Sequence, residues 1–293
     1  MRLTLWSVLG YVATVLVAGG ALGGAIVLAL REHAGPARCP PGTRAFGARC
    51  CADGQTELRG RCHGKPLACP AGFLSVLEPE PGCAVVLRRV RLGGGTLSLG
   101  PQDWQARSTE SRTLRVSPFA LDATEVTVHR WRACVEARIC QTPVPGEPGQ
   151  PVTGINPTEA ADFCRFAGGR LPRGDEWLLA AAGGEAHRYP WGQTGLVCRR
   201  AVFGLVRGPC GTGATGPEWA GLRPDGATPE RILDLSGNVA EWTAEPGDRY
   251  LVRGGSYRSE LAADLHSWAA ESSPGPAPYI GFRCAYDLGT VSP

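Results

Sequence analysis

At 293 residues, 43% apolar and with a net charge of +3 from 30 basic and 27 acidic side chains, the chain can bury one sizeable domain plus smaller pieces. The charges are spread rather than clustered, which leaves no electrostatic case for a nucleic-acid partner. Its 41 glycines and 25 prolines call for many turns and long loops.

The first element is apolar. "LTLWSVLGYVATVLVAGGALGGAIVLAL" (residues 3–30) has no charged side chain and is long enough to span a bilayer. It outruns the short apolar core of a cleavable signal, so residues 1–33 read as an uncleaved signal-anchor, with cleavage as the alternative. The glycines of Ala18–Gly24 would let two such helices pack closely, but glycine is common in membrane helices. Counting Arg2 before the span against Arg31, Arg38, Arg44 and Arg49 after it would place the C-terminal side inside. The twelve cysteines argue the other way, because all follow the span and disulfides persist only in oxidising compartments. Long domains translocate largely regardless of nearby charge. The body is therefore expected outside the cytoplasm, in a periplasm or at a cell surface, tethered to the membrane by its N-terminal helix.

Residues 34–83 hold a cysteine repeat. "CPPGTRAFGARC" (Cys39–Cys50) and "CADGQTELRGRC" (Cys51–Cys62) share Cys at both ends and Gly at the fourth place. "CPAGFLSVLEPEPGC" (Cys69–Cys83) repeats the opening with a longer loop. Each unit is too short to bury a core, so a covalent staple must hold it. Cys39–Cys50, Cys51–Cys62 and Cys69–Cys83 are the simplest pairings. A zinc knuckle using Cys62 and His63 is the alternative, disfavoured because no Cys-x-x-Cys occurs here. The segment reads as a stiff stalk or adaptor between the membrane and a domain at 84–293.

In that domain "AVVLRRVRLGGGTLSLG" (residues 84–100) reads as strand, Gly turn, strand. "FALDATEVTVHRWRACVEARIC" moves from strand to helix, with Thr124 or Thr127 as N-cap. "NPTEAADFCRFAGG" is a second helix, with Pro157 just inside its start and Gly168-Gly169 past its end. "RGDEWLLAAAGG" is a third, closed by Gly183-Gly184. Residues 184–229 are mostly irregular, a length that functional or cross-linked loops have, and Cys198 and Cys210 would staple part of it.

The order of "LDATEVTVHRW", "PVTGINPTEAADFCRFAGGRLPRGDEW", "RYPWG", "LDLSGNVAEWT", "LVRGGSYR" and "YIGFRC" resembles the formylglycine-generating (sulfatase-modifying factor) enzyme superfamily over about residues 90–287. The resemblance implies an irregular α+β, C-type-lectin-like fold. It also implies a Cys164–Cys284 bridge. Cys134 and Cys140 are close enough that their helix must end between them to give disulfide geometry. That leaves Cys198–Cys210, with no free thiol.

The same resemblance implies a structural calcium ion held by Asp234 and Glu241 side chains with the Gly237 and Val239 carbonyls, a set of hard oxygens suited to Ca²⁺. The plainer reading is that the two carboxylates only cap and bridge the turn. A second family calcium site needs an Asn where this chain has Val202. In the oxidase branch, the loop after Gly-Gly-Ser carries two cysteines that bind copper(I). Those places are Ser259 and Asp264 here, hard groups that do not suit Cu(I). Ser256 matches the family's active-site serine, and Ala240 stands where the family has a tryptophan.

An iron site would need two histidines and a carboxylate. Asp264 and His266 share a side if their segment is extended, with His187 or His129 as a distant third ligand. The iron-dependent sulfoxide-synthase relatives draw histidines from a separate helical domain that this chain lacks. A surface Asp and His are the commoner reading. No Gly-x-Ser-x-Gly, His-Glu-x-x-His or P-loop occurs, and Asp175-Glu176 read as helix-start carboxylates. Among the tryptophans, Trp191 and Trp242 are expected buried, and Trp104, Trp219 and Trp268 exposed.

These residues point to a membrane-anchored extracytoplasmic domain without formylglycine-generating oxidase activity. It would bind a protein, peptide or glycan in a groove near residues 256–268, lined by Arg253, Tyr257 and Arg258. An oxygen-dependent oxidase with non-cysteine ligands is the alternative. A third is an adhesion module in which the cysteine segment binds.

Overall fold

The computed structural model describes residues 39, 42–46, 49–59, 61–78, 81–100, 111–195, 199–204 and 215–288. The apolar run at residues 3–30, Trp104 and the Cys198–Cys210 pair lie outside them. Among the described residues no helix is long and apolar enough to cross a membrane.

Three small hairpins open the chain, and each is stapled. The strands β1 (Thr43–Phe46) and β2 (Arg49–Ala52) pair antiparallel, as do β3 (Thr56–Leu58) with β4 (Arg61–His63) and β5 (Phe73–Val76) with β6 (Gly82–Val85). The bridges are Cys39–Cys50, Cys51–Cys62 and Cys69–Cys83, as the repeat suggested. Cys62 is thereby spent on Cys51, which removes the zinc alternative.

This segment is not a stalk standing clear of the domain. Ala52, Phe73 and Cys83 form a buried cluster with Trp219. The Glu147 carboxylate joins the two parts, accepting from the Cys50 N–H (2.9 Å) and from Trp219 Nε1 (2.6 Å).

In the main domain, β7 (Arg89–Leu92) and β8 (Gly95–Leu99) are separated by glycines but join different sheets. The strand β8 pairs with β9 (Arg112–Val116). The strand β7 pairs with β10 (Phe119–Asp122), whose other edge takes β15 (Ala285–Asp287). A four-stranded sheet runs in the order β13 (Ala270–Glu271), β12 (Arg249–Arg253), β11 (Ala240–Glu245), β14 (Ile280–Gly281), parallel only at β11–β14.

The helices begin where their caps sit. Helix α1 (Val128–Glu136) follows Thr127, whose hydroxyl accepts from the Arg130 N–H, and α2 (Pro157–Phe166) follows Asn156, whose side chain accepts from the Glu159 N–H. Helix α3 (Gly174–Ala182) starts with Asp175 and Glu176 in its first turn and ends at Gly183, with φ +63°. Glu176 is buried and paired with Arg170 and Arg173.

Two clusters form the core. One packs Leu97, Leu121, Trp177, Leu235 and Trp268 between α3 and the β8–β9 hairpin. The other holds Trp131, Phe163 and Phe282 in ring contact beside Trp242, whose Nε1 donates to the Ile155 carbonyl at 2.9 Å. Cys134–Cys140 and Cys164–Cys284 close this second cluster, and the first does so across the end of α1.

Candidate functional site

The turn before β11 is held in a rare backbone conformation. Asp234, Gly237 and Asn238 have φ of +57°, +84° and +60°. Glycine is required at 237, because the Val202 backbone leaves no room for a Cβ there. Asn238 repays its strain by joining four segments. Its N–H donates to the Val202 carbonyl (2.8 Å) and its Nδ2 to Glu125 Oε1 (2.9 Å), while its Oδ1 accepts from the Glu218 N–H (2.9 Å) and its carbonyl from the Tyr257 N–H (2.8 Å). The sequence reading saw this residue only as part of a turn.

Beside it lies a buried charge cluster. Glu241 accepts from Arg283 at both oxygens (2.6 and 2.7 Å), and its Oε2 also accepts from Trp177 Nε1 (2.7 Å). Arg283, fully buried, donates further to the Asp122 and Leu233 carbonyls. Asp234 accepts from the Gly221 N–H at 2.5 Å. Glu125, which the sequence reading did not single out, is fully buried and its Oε2 meets no donor.

Burial, then the nearby Asp234, pushes the Glu125 carboxyl well above its ordinary range. Burial likewise pushes Asp234 up to about 6, against the Gly221 N–H that holds it down. A proton kept on Glu125 could be donated to Asp234 and satisfy both groups. Were Glu125 and Asp234 both ionised, three carboxylates would share one guanidinium, an excess of negative charge that a hard dication would neutralise. The expected calcium set fits only in part, since both oxygens of Glu241 are already filled. The orphaned Glu125 Oε2 is the carboxylate oxygen with capacity to spare.

The strand β12 ends at Gly254-Gly255, with φ of +86° and +64°. The loop then folds back on itself. A Cβ on Gly255 would lie 2.7 Å from the Asp264 carbonyl and 2.8 Å from Ser259 Oγ. Ser256 is buried, its N–H donating to Ser259 Oγ at 3.0 Å and its Oγ accepting from the Arg258 N–H at 3.2 Å. Ser259 and Asp264 line one small cavity of about 60 Å³ together with Arg253, Gly254, Gly255 and Glu271. The two positions read from the family register as its thiol sites therefore do face a common space.

Asp264 and His266 part company. Residues 262–265 form a 3-10 turn, not the extended segment that would put both on one side. His266 is instead buried between the Tyr189 and Trp268 rings, at centroid distances of 5.4 and 5.1 Å. His187 sits against Glu185, and His129 is half-buried on α1. Among the described residues no three His, Cys, Asp or Glu side chains converge as a metal site.

Other expectations are corrected here. Trp219 and Trp268 are buried, the first under the cysteine-rich hairpins and the second in the core beside α3. Trp177 and Trp242 are fully inside, but Trp191 is half-exposed, stacked on Tyr189 at 5.0 Å with the Arg200 guanidinium over its face. Of the expected groove contacts, Arg253 and Tyr257 point inward and only Arg258 is exposed, lying over Tyr279.

Residues 78–288 match the sulfatase-modifying factor enzyme 1-like domain, well over half the chain. The chain belongs to the formylglycine-generating-enzyme family of sulfatase-modifying factors. It is 31% identical to the inactive C-alpha-formylglycine-generating enzyme 2 of Mus musculus, over 68% of this chain and 86% of that protein. It is 27% identical to the formylglycine-generating enzyme of Streptomyces coelicolor, over 73% of this chain and 95% of that one. The structure of PvdO from Pseudomonas aeruginosa superposes with a TM-score of 0.57 at 18% identity, covering 75% of this chain and all of that one. That last likeness is one of fold alone. The family match starts at residue 78, inside the Cys69–Cys83 loop, so the last staple and the domain overlap.

Proposed function

We propose that the chain is a membrane-tethered, extracytoplasmic member of the family that has given up formylglycine generation and binds a protein, peptide or glycan beside the 254–268 loop. The observation that carries this reading is the joint lining of one cavity by Ser259 and Asp264. A hydroxyl and a carboxylate there are poor ligands for Cu(I), which prefers thiolates. The described cysteines are all in disulfides, so none is available to substitute. The likeness to inactive C-alpha-formylglycine-generating enzyme 2 agrees with this and does not carry it.

The test supplies Cu(I), oxygen and a cysteine-containing peptide to the full chain, with mass spectrometry of the peptide as readout. No formylglycine is expected from the native chain. Turnover by the native chain would overturn the reading. Cu(I) binding is expected only in the Ser259→Cys/Asp264→Cys double variant, whose thiols would face the same space.

A structural calcium ion belongs to the same proposal. Asp234 and the Gly237 and Val239 carbonyls would supply oxygens, and Glu125 would join them because Glu241 is committed to Arg283 and Trp177. Its role would be to hold together the irregular segments that meet at Asn238.

A further inference from the structure

A second cavity, of about 350 Å³, opens between the first turn of α3, the strand β9 and the end of β11. It is far larger than the one beside Ser259 and has a different character. Leu114, Leu178, Ala244 and Pro246 give it apolar walls, and Arg112, Arg173 and Arg253 contribute its cationic groups.

Arg253 is the unusual member. Its side chain is 5% exposed, Nη2 donates to Glu245 Oε1 at 2.9 Å and Nε to Thr243 Oγ1 at 3.3 Å. Nη1 is buried and has no partner. A buried donor left unmet is expensive, so such groups are seldom kept without a role. Arg253 lines both cavities, and the contacts of its Nη2 edge place that edge on the larger one. A Cβ on Gly174 would lie 2.7 Å from Arg253 Nη2, with Glu245 closer still, and both Gly174 and Glu245 line this cavity. The nine-residue helix α3 also begins here, adding the positive end of its dipole.

We propose that this cavity binds an organic anion, a carboxylate on a short apolar or aromatic body. Its head accepts from Arg253 Nη1, and its body packs on Leu114 and Leu178. A neutral apolar molecule would leave Nη1 unmet. An inorganic anion would leave the apolar walls wet. Asp175 and Glu245 at the margin disfavour a multiply charged head and limit the ligand to one negative group. This assignment does not depend on the reading of the Ser259–Asp264 cavity.

A small free acid and the C-terminal residue of a peptide present the same chemistry. The full chain in lipid nanodiscs is therefore titrated with 3-(4-fluorophenyl)propionate, with its uncharged alcohol analogue and with N-acetyl-4-fluorophenylalanine, read by fluorine NMR against empty nanodiscs. At least one of the two acids is expected to bind at least about tenfold tighter than the alcohol, the scale of a charge-assisted hydrogen bond. Preference for the acetylated amino acid points to a peptide terminus, and preference for the simple acid to a free small molecule.

Leu114→Trp fills the cavity from β9 without touching the Arg253–Glu245 pair, and is expected to abolish acid binding while the thermal midpoint holds. Should that variant unfold, Leu114→Phe fills the same space from β9. Equal binding of alcohol and acids, unchanged binding in the filled variant, or no binding of either acid would each overturn the proposal.

Discussion

At the scale of single residues, the Glu125–Asp234–Glu241–Arg283 cluster makes the sharpest prediction. Glu125 and Asp234 both carry folded-state pKa values above their unfolded ones, with Asp234 moved from 3.8 to about 6. A carboxyl raised in this way favours the folded state while protonated. Its contribution is fully present below the unfolded value and is lost as pH rises through the folded one. In EDTA the thermal stability is therefore expected to fall between about pH 4 and pH 6, the window set by Asp234, by a free energy on the order of 1–3 kcal/mol. Calcium at pH 7 should restore it, and Glu125→Gln should flatten the profile and weaken the calcium response together. A pH profile that is already flat in EDTA would mean the two carboxyls are satisfied in some other way. An unchanged midpoint on adding calcium would remove the ion from the proposal.

Half of this cluster was legible in the sequence. Asp234 and Glu241 stand in one short motif, whereas Glu125 and Arg283 reach it from far along the chain. The bond between Asn238 and Glu125 spans 113 residues. Nothing local marks Glu241 as the partner of Arg283 rather than of a metal, since both would use the same two oxygens.

At the scale of elements, helix ends follow from local signals. Thr127 and Asn156 cap α1 and α2, Pro157 sits in the first turn of α2 and Gly183 closes α3, because these signals act within a few residues. The turn at residues 262–265 is not marked locally, for the complementary reason. Its shape is imposed by packing, with Ser236 Oγ donating to the Leu265 carbonyl at 2.7 Å and the Ser267 N–H to the Arg188 carbonyl at 2.8 Å.

Gly174 shows the same tension between local preference and packing. Alanine is the better helix former by about 1 kcal/mol, so a reading by propensity expects Gly174→Ala to stabilise α3. The structure predicts the opposite. A methyl group there would run into the Glu245 carboxylate and the buried Arg253 guanidinium that it holds, so the ion pair must shift to admit it. The expected loss is roughly 1–3 kcal/mol by chemical denaturation, the usual cost of overpacking. A stabilised variant would show that the β11–β12 end gives way and that the Arg253 contact is soft.

At the scale of the whole molecule, the cysteine-rich segment and the domain act as one body. The sequence suggested otherwise, because a staple every dozen residues reads as a self-sufficient rod and Trp219 as a surface ring. The residues that couple them are remote from one another. Glu147 lies in the loop after α1, Trp219 in the irregular stretch before β11, and Cys50 on β2. Glu147 is 7% exposed, and its carboxylate accepts from two N–H donors, one on each side of the seam. Gly149 packs its bare backbone on the Trp219 ring, where a Cβ would come within 2.8 Å.

Glu147→Ala is therefore expected to strand both donors and loosen the dock while leaving the disulfides intact. The cost should be about 2–3 kcal/mol, as for breaking charged hydrogen bonds at a buried site. Two readouts should move together. Limited proteolysis should open the 52–82 region first, and the fluorescence of Trp219 should shift to the red as water reaches the indole. Trp219→Phe, which keeps the ring contact with Phe73 and removes the Nε1 donor, separates the two contributions. If Glu147→Ala leaves proteolysis and fluorescence unchanged, the hairpins are held by Phe73, Cys83 and Trp219 packing alone, and the carboxylate is a consequence of the docking rather than its cause.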